Sequence, residues 1–96
     1  QQPEPIQIAA VRALSAYSKP EIAPLLLDGW RRHSPAVRKA ITEALLSRDG
    51  RTKQLLMAAA KGKASVSYIE LSRRSLLLKH NDPKIRSLAK RLFGAE

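Results

Sequence analysis

Two histidines open two nearly matching phrases, His33-Ser34-Pro35-Ala36-Val37-Arg38 and His80-Asn81-Asp82-Pro83-Lys84-Ile85-Arg86. A histidine can ligate a metal or move a proton, and an arginine can grip phosphate through its planar fork of donors. Said twice, the phrase could be a basic site used twice. The spacing points elsewhere. No second His or Cys stands at ligand spacing from either His, and no motif ties Asp28 or Asp49 to them. Each phrase instead runs in the order of a helix start: Ser34 or Asp82 as cap, Pro35 or Pro83 in the first turn, then a β-branched residue. His33 and His80 then fall at the carbonyl ends of the preceding helices, where partial positive charge is favoured. Arg38 and Arg86 are expected to satisfy a turn carboxylate or carbonyl of the adjacent unit.

Other chemistry-bearing residues are few. Ser15, Ser47 and Ser72 lie in helical stretches with no His-Asp partner pattern nearby, and neither a Gly-rich phosphate loop nor a paired-carboxylate motif occurs. The chain has no cysteine, which rules out disulfides, thiolate metal sites and a cysteine nucleophile. Non-catalytic is therefore the expectation, with no metal or cofactor held by these residues. The formal net charge of +10 is the strongest compositional signal. It brings nucleic acid or an anionic membrane surface forward as partners, against the plainer reading of a solvated helical surface. The pairs Arg31-Arg32, Arg73-Arg74 and Lys90-Arg91, with Arg48, Arg51, Lys53, Lys61 and Lys63, could line one face. Trp30 would then stack or close an interface, although a lone Trp ending an apolar stripe more often packs between helices.

The elements that would carry these residues are helices. Leu and Ala supply most of the 44% apolar content, aromatics are only 4%, and no segment alternates with period two. The longest apolar run, Leu55 to Ala60, is far too short to span a bilayer. Helix one is expected from Pro3-Glu4-Pro5 to about Tyr17, with Ile6, Ala9, Ala10, Ala13, Leu14 and Tyr17 as its stripe. A Ser18 and Glu21 capping box starts helix two, which runs to about Arg32 with Ile22, Leu25, Leu26 and Trp30 inside. Helix three follows Pro35 and buries Val37, Ala40, Ile41, Ala44 and Leu45, until Asp49-Gly50 breaks it. Helix four runs from about Arg51 to Lys61 and stops at Gly62. A second capping box, Ser67 and Glu70, starts helix five, with Ile69, Leu76 and Leu77 buried. Helix six follows Pro83 with Ile85, Leu88, Ala89, Leu92 and Phe93. The expectation is one all-α domain over residues 1–96, about six helices in roughly three antiparallel pairs, and the start Gln-Gln-Pro suggests a piece of a longer protein.

The corners echo one another beyond the histidines. Ile6-Gln7 leads to Ala13-Leu14, Val37-Arg38 to Ala44-Leu45, and Ile85-Arg86 to Leu92-Phe93. The run Asp82-Pro83-Lys84-Ile85-Arg86-Ser87-Leu88-Ala89-Lys90-Arg91-Leu92-Phe93 resembles the HEAT-like repeats of the phycocyanobilin-lyase type. Their phrase is an acidic residue, Pro, any residue, Val or Ile, then Arg. The likeness covers essentially the whole chain. It implies an α-α superhelix whose repeat signature here is Pro35, Val37, Arg38, Asp82, Pro83, Ile85 and Arg86. More narrowly, residues 25–38, 55–62 and 76–83 are similar to stretches of large planctomycete proteins usually named membrane-bound dehydrogenases or haem-binding proteins. Those join a dehydrogenase-like propeller, a HEAT-like segment and a c-type cytochrome domain.

That resemblance implies a scaffold between neighbouring redox domains of an extracytoplasmic or membrane-associated parent. The haem would belong to a neighbour, because this chain has no Cys-x-x-Cys-His. The alternative is a basic HEAT-like module that holds nucleic acid in its concave face, as some HEAT-like DNA glycosylases do. On that reading Trp30, Arg31, Arg32, Arg73, Arg74, Lys90 and Arg91 form the interaction surface. A repeat stack cut from a longer chain exposes apolar surface at its end helices. Weak self-association through helix one or helix six is therefore expected, and light scattering that finds a strict monomer at millimolar concentration refutes it.

Overall fold

Prolines sit in the first turn of three helices, where the missing N–H is no loss, and Ser34 and Asp82 supply side-chain caps to two of them. The structure, a computed structural model, describes residues 3–94. The helices are α1 (Glu4–Ser15), α2 (Ile22–Leu27), α3 (Pro35–Leu46), α4 (Asp49–Ala60), α5 (Leu71–Leu78) and α6 (Pro83–Phe93), with one 3-10 turn, Trp30–Arg32, after α2. The described residues contain no strand, and the fold is all-α.

Helices two apart in the chain pack side by side: α1 on α3, α2 on α4, and α4 on α6. Like ends meet in each case. Ser34 at the start of α3 donates its hydroxyl to the carboxylate of Glu4 at the start of α1. Arg31, just past α2, donates to the Gly62 carbonyl just past α4, 3.1 Å away. Asp49 and Lys53 at the start of α4 meet His80 and Asp82 at the start of α6, at 3.2 and 3.0 Å. Sequence neighbours α3 and α4, and α5 and α6, also pack as pairs, while α1 and α2 touch more lightly. The molecule measures 40 × 25 × 23 Å.

The core lies in the middle. Val37, Ile41 and Leu45 of α3 and Leu55 and Leu56 of α4 are buried, joined by Ile69, Leu77, Ile85 and Ala89. Each fully buried Ile or Leu contributes about 1.5–3 kcal/mol. In α1 only Val11 is buried, and in α5 only Leu77, so those helices are held by much less apolar burial. The buried hydroxyls of Thr42 and Thr52 donate to carbonyls one turn back, Arg38 and Arg48, at 2.9 and 3.0 Å.

Several elements differ from the sequence-based expectation. On α1 the buried face carries Val11, with Ile8 and Leu14 packed beside it, while Ile6 is 52% and Tyr17 58% exposed. With apolar residues on most sides of this helix, the position of α3 selects the buried face. Ile6 therefore does not share the burial of Val37 and Ile85, and the first copy of the echo is not structurally equivalent to the other two. Helix α2 stops at Leu27 rather than near Arg32, because Gly29 takes a left-handed φ of 73° that ends the helix. Leu25 and Leu76, expected inside, are exposed. Neither capping box forms: the side chains of Ser18 and Ser67 make no cap to α2 or α5, whose N-cap positions are Glu21 and Glu70. Asp49 and Gly50 open α4 instead of merely breaking α3, with the Asp49 carboxylate at the positive end of the helix dipole. Gly62, as expected, stops α4. Its φ is 78°, and Gly62 and Lys63 donate to the Ala59 and Ala58 carbonyls at 3.0 and 2.9 Å, a Schellman motif.

One buried cation ties the first helix to the rest of the fold. Arg51, 6% exposed, donates Nη1 to the Ser15 carbonyl at 2.7 Å and Nη2 to the Tyr17 carbonyl, so it satisfies the end of α1 from the first turn of α4. Burial, and secondarily the neighbouring Arg48, pull its pKa below the usual guanidinium value. Arg51→Ala strands both carbonyls and leaves a void, and is expected to cost about 2–4 kcal/mol. Thermal melts should show a Tm drop of about 10 °C or more, against little change for the exposed Arg48→Ala. Equal melting of the two variants would mean that Arg51 does not anchor α1.

Candidate functional site

The two matching phrases are built alike. In the first corner Ser34 is the N-cap of α3 and accepts from the Val37 N–H at 3.3 Å. In the second, Asp82 caps α6 and accepts from the Lys84 N–H at 2.8 Å. Pro35 and Pro83 begin the helices, and Val37 and Ile85 point into the core. The arginine that follows turns back in both. Arg38 donates to the Trp30 and Arg31 carbonyls at 2.9 and 2.8 Å. Arg86 donates to the His80 and Asn81 carbonyls at 2.6 and 3.4 Å. Both guanidiniums donate to carbonyls of their own corner, not to a carboxylate or carbonyl of the adjacent unit, which the sequence alone leads one to expect.

The histidines differ. His80 is held on both ring nitrogens: Nδ1 accepts from the Asp82 N–H at 2.9 Å, and Nε2 lies 3.2 Å from the Asp49 carboxylate. That pattern assigns the neutral ring's proton to Nε2. His33 is half-buried beside Val37 and Ile41 in an apolar groove between α1, α2 and α3; its backbone N–H donates to the Trp30 carbonyl at 3.2 Å, while its ring makes no hydrogen bond to another described residue. Among the described residues no three His, Cys, Asp or Glu side chains gather at metal-holding distance, and no helix is long and apolar enough to cross a membrane. The Ser15 and Ser47 hydroxyls donate to helix carbonyls at 2.8 and 2.6 Å.

The basic residues separate into two populations. Besides Arg38, Arg51 and Arg86, Arg73 donates to the Leu46 carbonyl at 2.7 Å. Arg74 donates to the Ile69 and Val66 carbonyls at 2.8 and 3.2 Å, with its guanidinium 5.4 Å from the Phe93 ring centroid. Arg31 reaches the Gly62 carbonyl. Arg32, Lys90 and Arg91 are exposed. Trp30 is 5% exposed, edge-on to Tyr68 with ring centroids 6.0 Å apart, so its indole packs inside and offers no open face. Arg51 is inside the protein and Lys53 is paired with Asp82, so neither adds to a free basic face.

Four of the remaining cations do come together. Where the C-terminal ends of α2 and α4 meet there is an open groove of about 680 Å³. Leu27, Trp30, Met57 and Ala58 line it, with Arg31, Arg32, Lys61 and Lys63 around them and Asp28 as the acid present. Gly29 fits there because its φ of 73° strains any L side chain; the Arg32 Nη2, 2.6 Å from where a Cβ would be, is the end of a flexible side chain that can move aside. Arg31 and Arg32 were legible as a basic pair, and Lys61 and Lys63 flank the glycine that stops α4. Nothing in the local sequence joins the two segments or brings Met57 to the groove.

The acid at the second corner sets a pH dependence. The Lys53 hydrogen bond and then the Lys84 N–H hold the Asp82 carboxyl below its usual value of 3.8; desolvation opposes them, and the Lys53 charge and the Ile85 N–H add lesser contributions in the same direction as the first two. A depressed folded pKa gives stability that is present above the unfolded value and lost as pH falls through the folded one. Asp82→Asn should therefore lower the Tm at neutral pH, and the gap from the native chain should close below about pH 4. A gap that stays constant down to pH 2 would show that the carboxylate charge is not involved.

No protein-family profile, no curated protein and no solved structure matches the chain.

Proposed function

We propose that this chain is a non-catalytic helical scaffold, a HEAT-like stack that positions neighbouring domains of a larger redox protein. The observation that carries the reading is the spacing of the contacts that join like helix ends. Glu4 to Ser34, Arg31 to Gly62 and Asp49 to His80 span 30, 31 and 31 residues. A constant offset of that size between side-by-side helices is what stacked repeats produce. The matching construction of the two corners supports the same reading. So does the use of Arg38 and Arg86 on backbone carbonyls, which gives the motif arginines a structural task.

The dehydrogenase-like and cytochrome neighbours come from the resemblance of residues 25–38, 55–62 and 76–83 to planctomycete multidomain proteins. The extracytoplasmic or membrane-associated setting of the parent is proposed on the same ground. The nucleic-acid alternative rests on the net charge of +10. It is the weaker reading, because Arg73 and Arg74 donate inward and the Trp30 indole is buried, leaving few of the expected contacts for phosphate or base.

Reading the parent coding frame for about a hundred codons past Glu96, a typical domain length, tests the proposal. A Cys-x-x-Cys-His is expected there. A frame with neither cytochrome nor dehydrogenase-like sequence on either side overturns it.

A further inference from the structure

We propose that the groove where α2 and α4 end is a docking site for an acidic segment of a partner protein, one carrying apolar side chains between its carboxylates. The inference rests on the reading of the chain as an interaction scaffold and gives that scaffold a recognition chemistry.

The groove presents two kinds of surface at once. Its apolar part is Pro24, Leu27, Met57 and Ala58, and the flexible thioether of Met57 lets it adapt to more than one side chain. Its charged part is Arg31, Arg32, Lys61 and Lys63, all exposed, against Asp28. Four cations and one acid leave a formal charge of +3. The carbonyl ends of two helices offset at most about half a charge each, so about +2 persists. The offset explains why cations are tolerated here and is too small to neutralise them.

Arg31 is also oriented in advance. One N–H of its Nη2 is fixed on the Gly62 carbonyl at 3.1 Å, which holds the guanidinium in place while other donors remain for a carboxylate. Holding the fork beforehand lowers the entropic cost of a two-point contact.

Two other grooves lack this combination. The one between α1, α2 and α3 is apolar, and nothing in the structure shows what covers it. A third sets Lys39 and Arg73 against Glu43 and Glu70, so it prefers neither sign. Size and aromatics favour a peptide over nucleic acid for the basic groove. The groove, bounded by the ends of two short helices, takes a few side chains of a peptide, whereas a duplex needs cations spread along a much longer face. The Trp30 indole, edge-on to Tyr68, gives a base nothing to stack on.

The test titrates the full chain with a synthetic peptide of alternating Glu and Leu. The fluorescence of Trp30, the one tryptophan, is followed at several salt concentrations. Saturable binding that weakens with salt is expected, and the Lys61→Glu, Lys63→Glu pair should weaken it about tenfold. The charge-matched pair Lys79→Glu, Lys84→Glu, outside the groove, should leave Kd nearly unchanged. Equal weakening by both pairs means diffuse charge attraction and overturns the site. Equal binding of a Glu and Ser peptide overturns the role of the apolar floor. No saturable binding, or a duplex DNA that binds through Lys61 and Lys63 when the peptide does not, overturns the proposal. Failure here with a haem domain encoded beside the chain removes the groove and leaves the scaffold reading intact.

Discussion

Carbonyl groups at helix ends lack intrahelical partners, and arginine is the residue this protein uses to satisfy them. Arg51 serves the end of α1, Arg73 the end of α3, Arg31 the turn after α4 and Arg86 the corner after α5. Arg38 does the same for the 3-10 turn after α2. Three of these five reach across to another part of the fold, so a local need for donors becomes a link between distant segments. With few aromatics and short helices, the fold depends on these links to set how one helix end meets the next. A lysine could supply the charge at such a point but not the planar fork that serves two carbonyls at once.

This division of labour gives the net charge a physical meaning. Among the described residues, six of the ten arginines donate to backbone carbonyls, while of the lysines only Lys53 meets a carboxylate. The buried chemistry therefore needs no acidic partner, and the excess of cations over acids does not strand a buried charge. The cations left outward are mostly lysines, and two of them, Lys61 and Lys63, gather with Arg31 and Arg32 where two helix ends coincide. The same helix ends that need donors thus concentrate positive charge beside an apolar floor.

The parts legible in the sequence were those set by neighbours within a few residues. Ser34, Asp82, the prolines after them and Gly62 act locally, and the spacing to Val37 and Ile85 carried the buried residue with them. The face of α1 was not legible, because apolar residues lie on most sides of it and only the placement of α3 chooses among them. The end of α2 was misread because Trp30 continues its apolar stripe past Gly29, and the backbone turn won over the periodicity. The candidate groove joins residues 24–32 to residues 54–63, and no local pattern announces a meeting across that distance.

The links between helix ends also bear on how the chain assembles. The contacts of Glu4, Arg31, Arg51 and Asp49 span 30, 31, 36 and 31 residues. Closing loops that similar differs by only about 0.2 kcal/mol in chain entropy. Loop length therefore gives no contact precedence over another. Burial decides instead, and burial is concentrated in α3 and α4. Assembly that begins at this central pair and adds the outer helices later leaves α1 and α5 as the segments that join last and detach first.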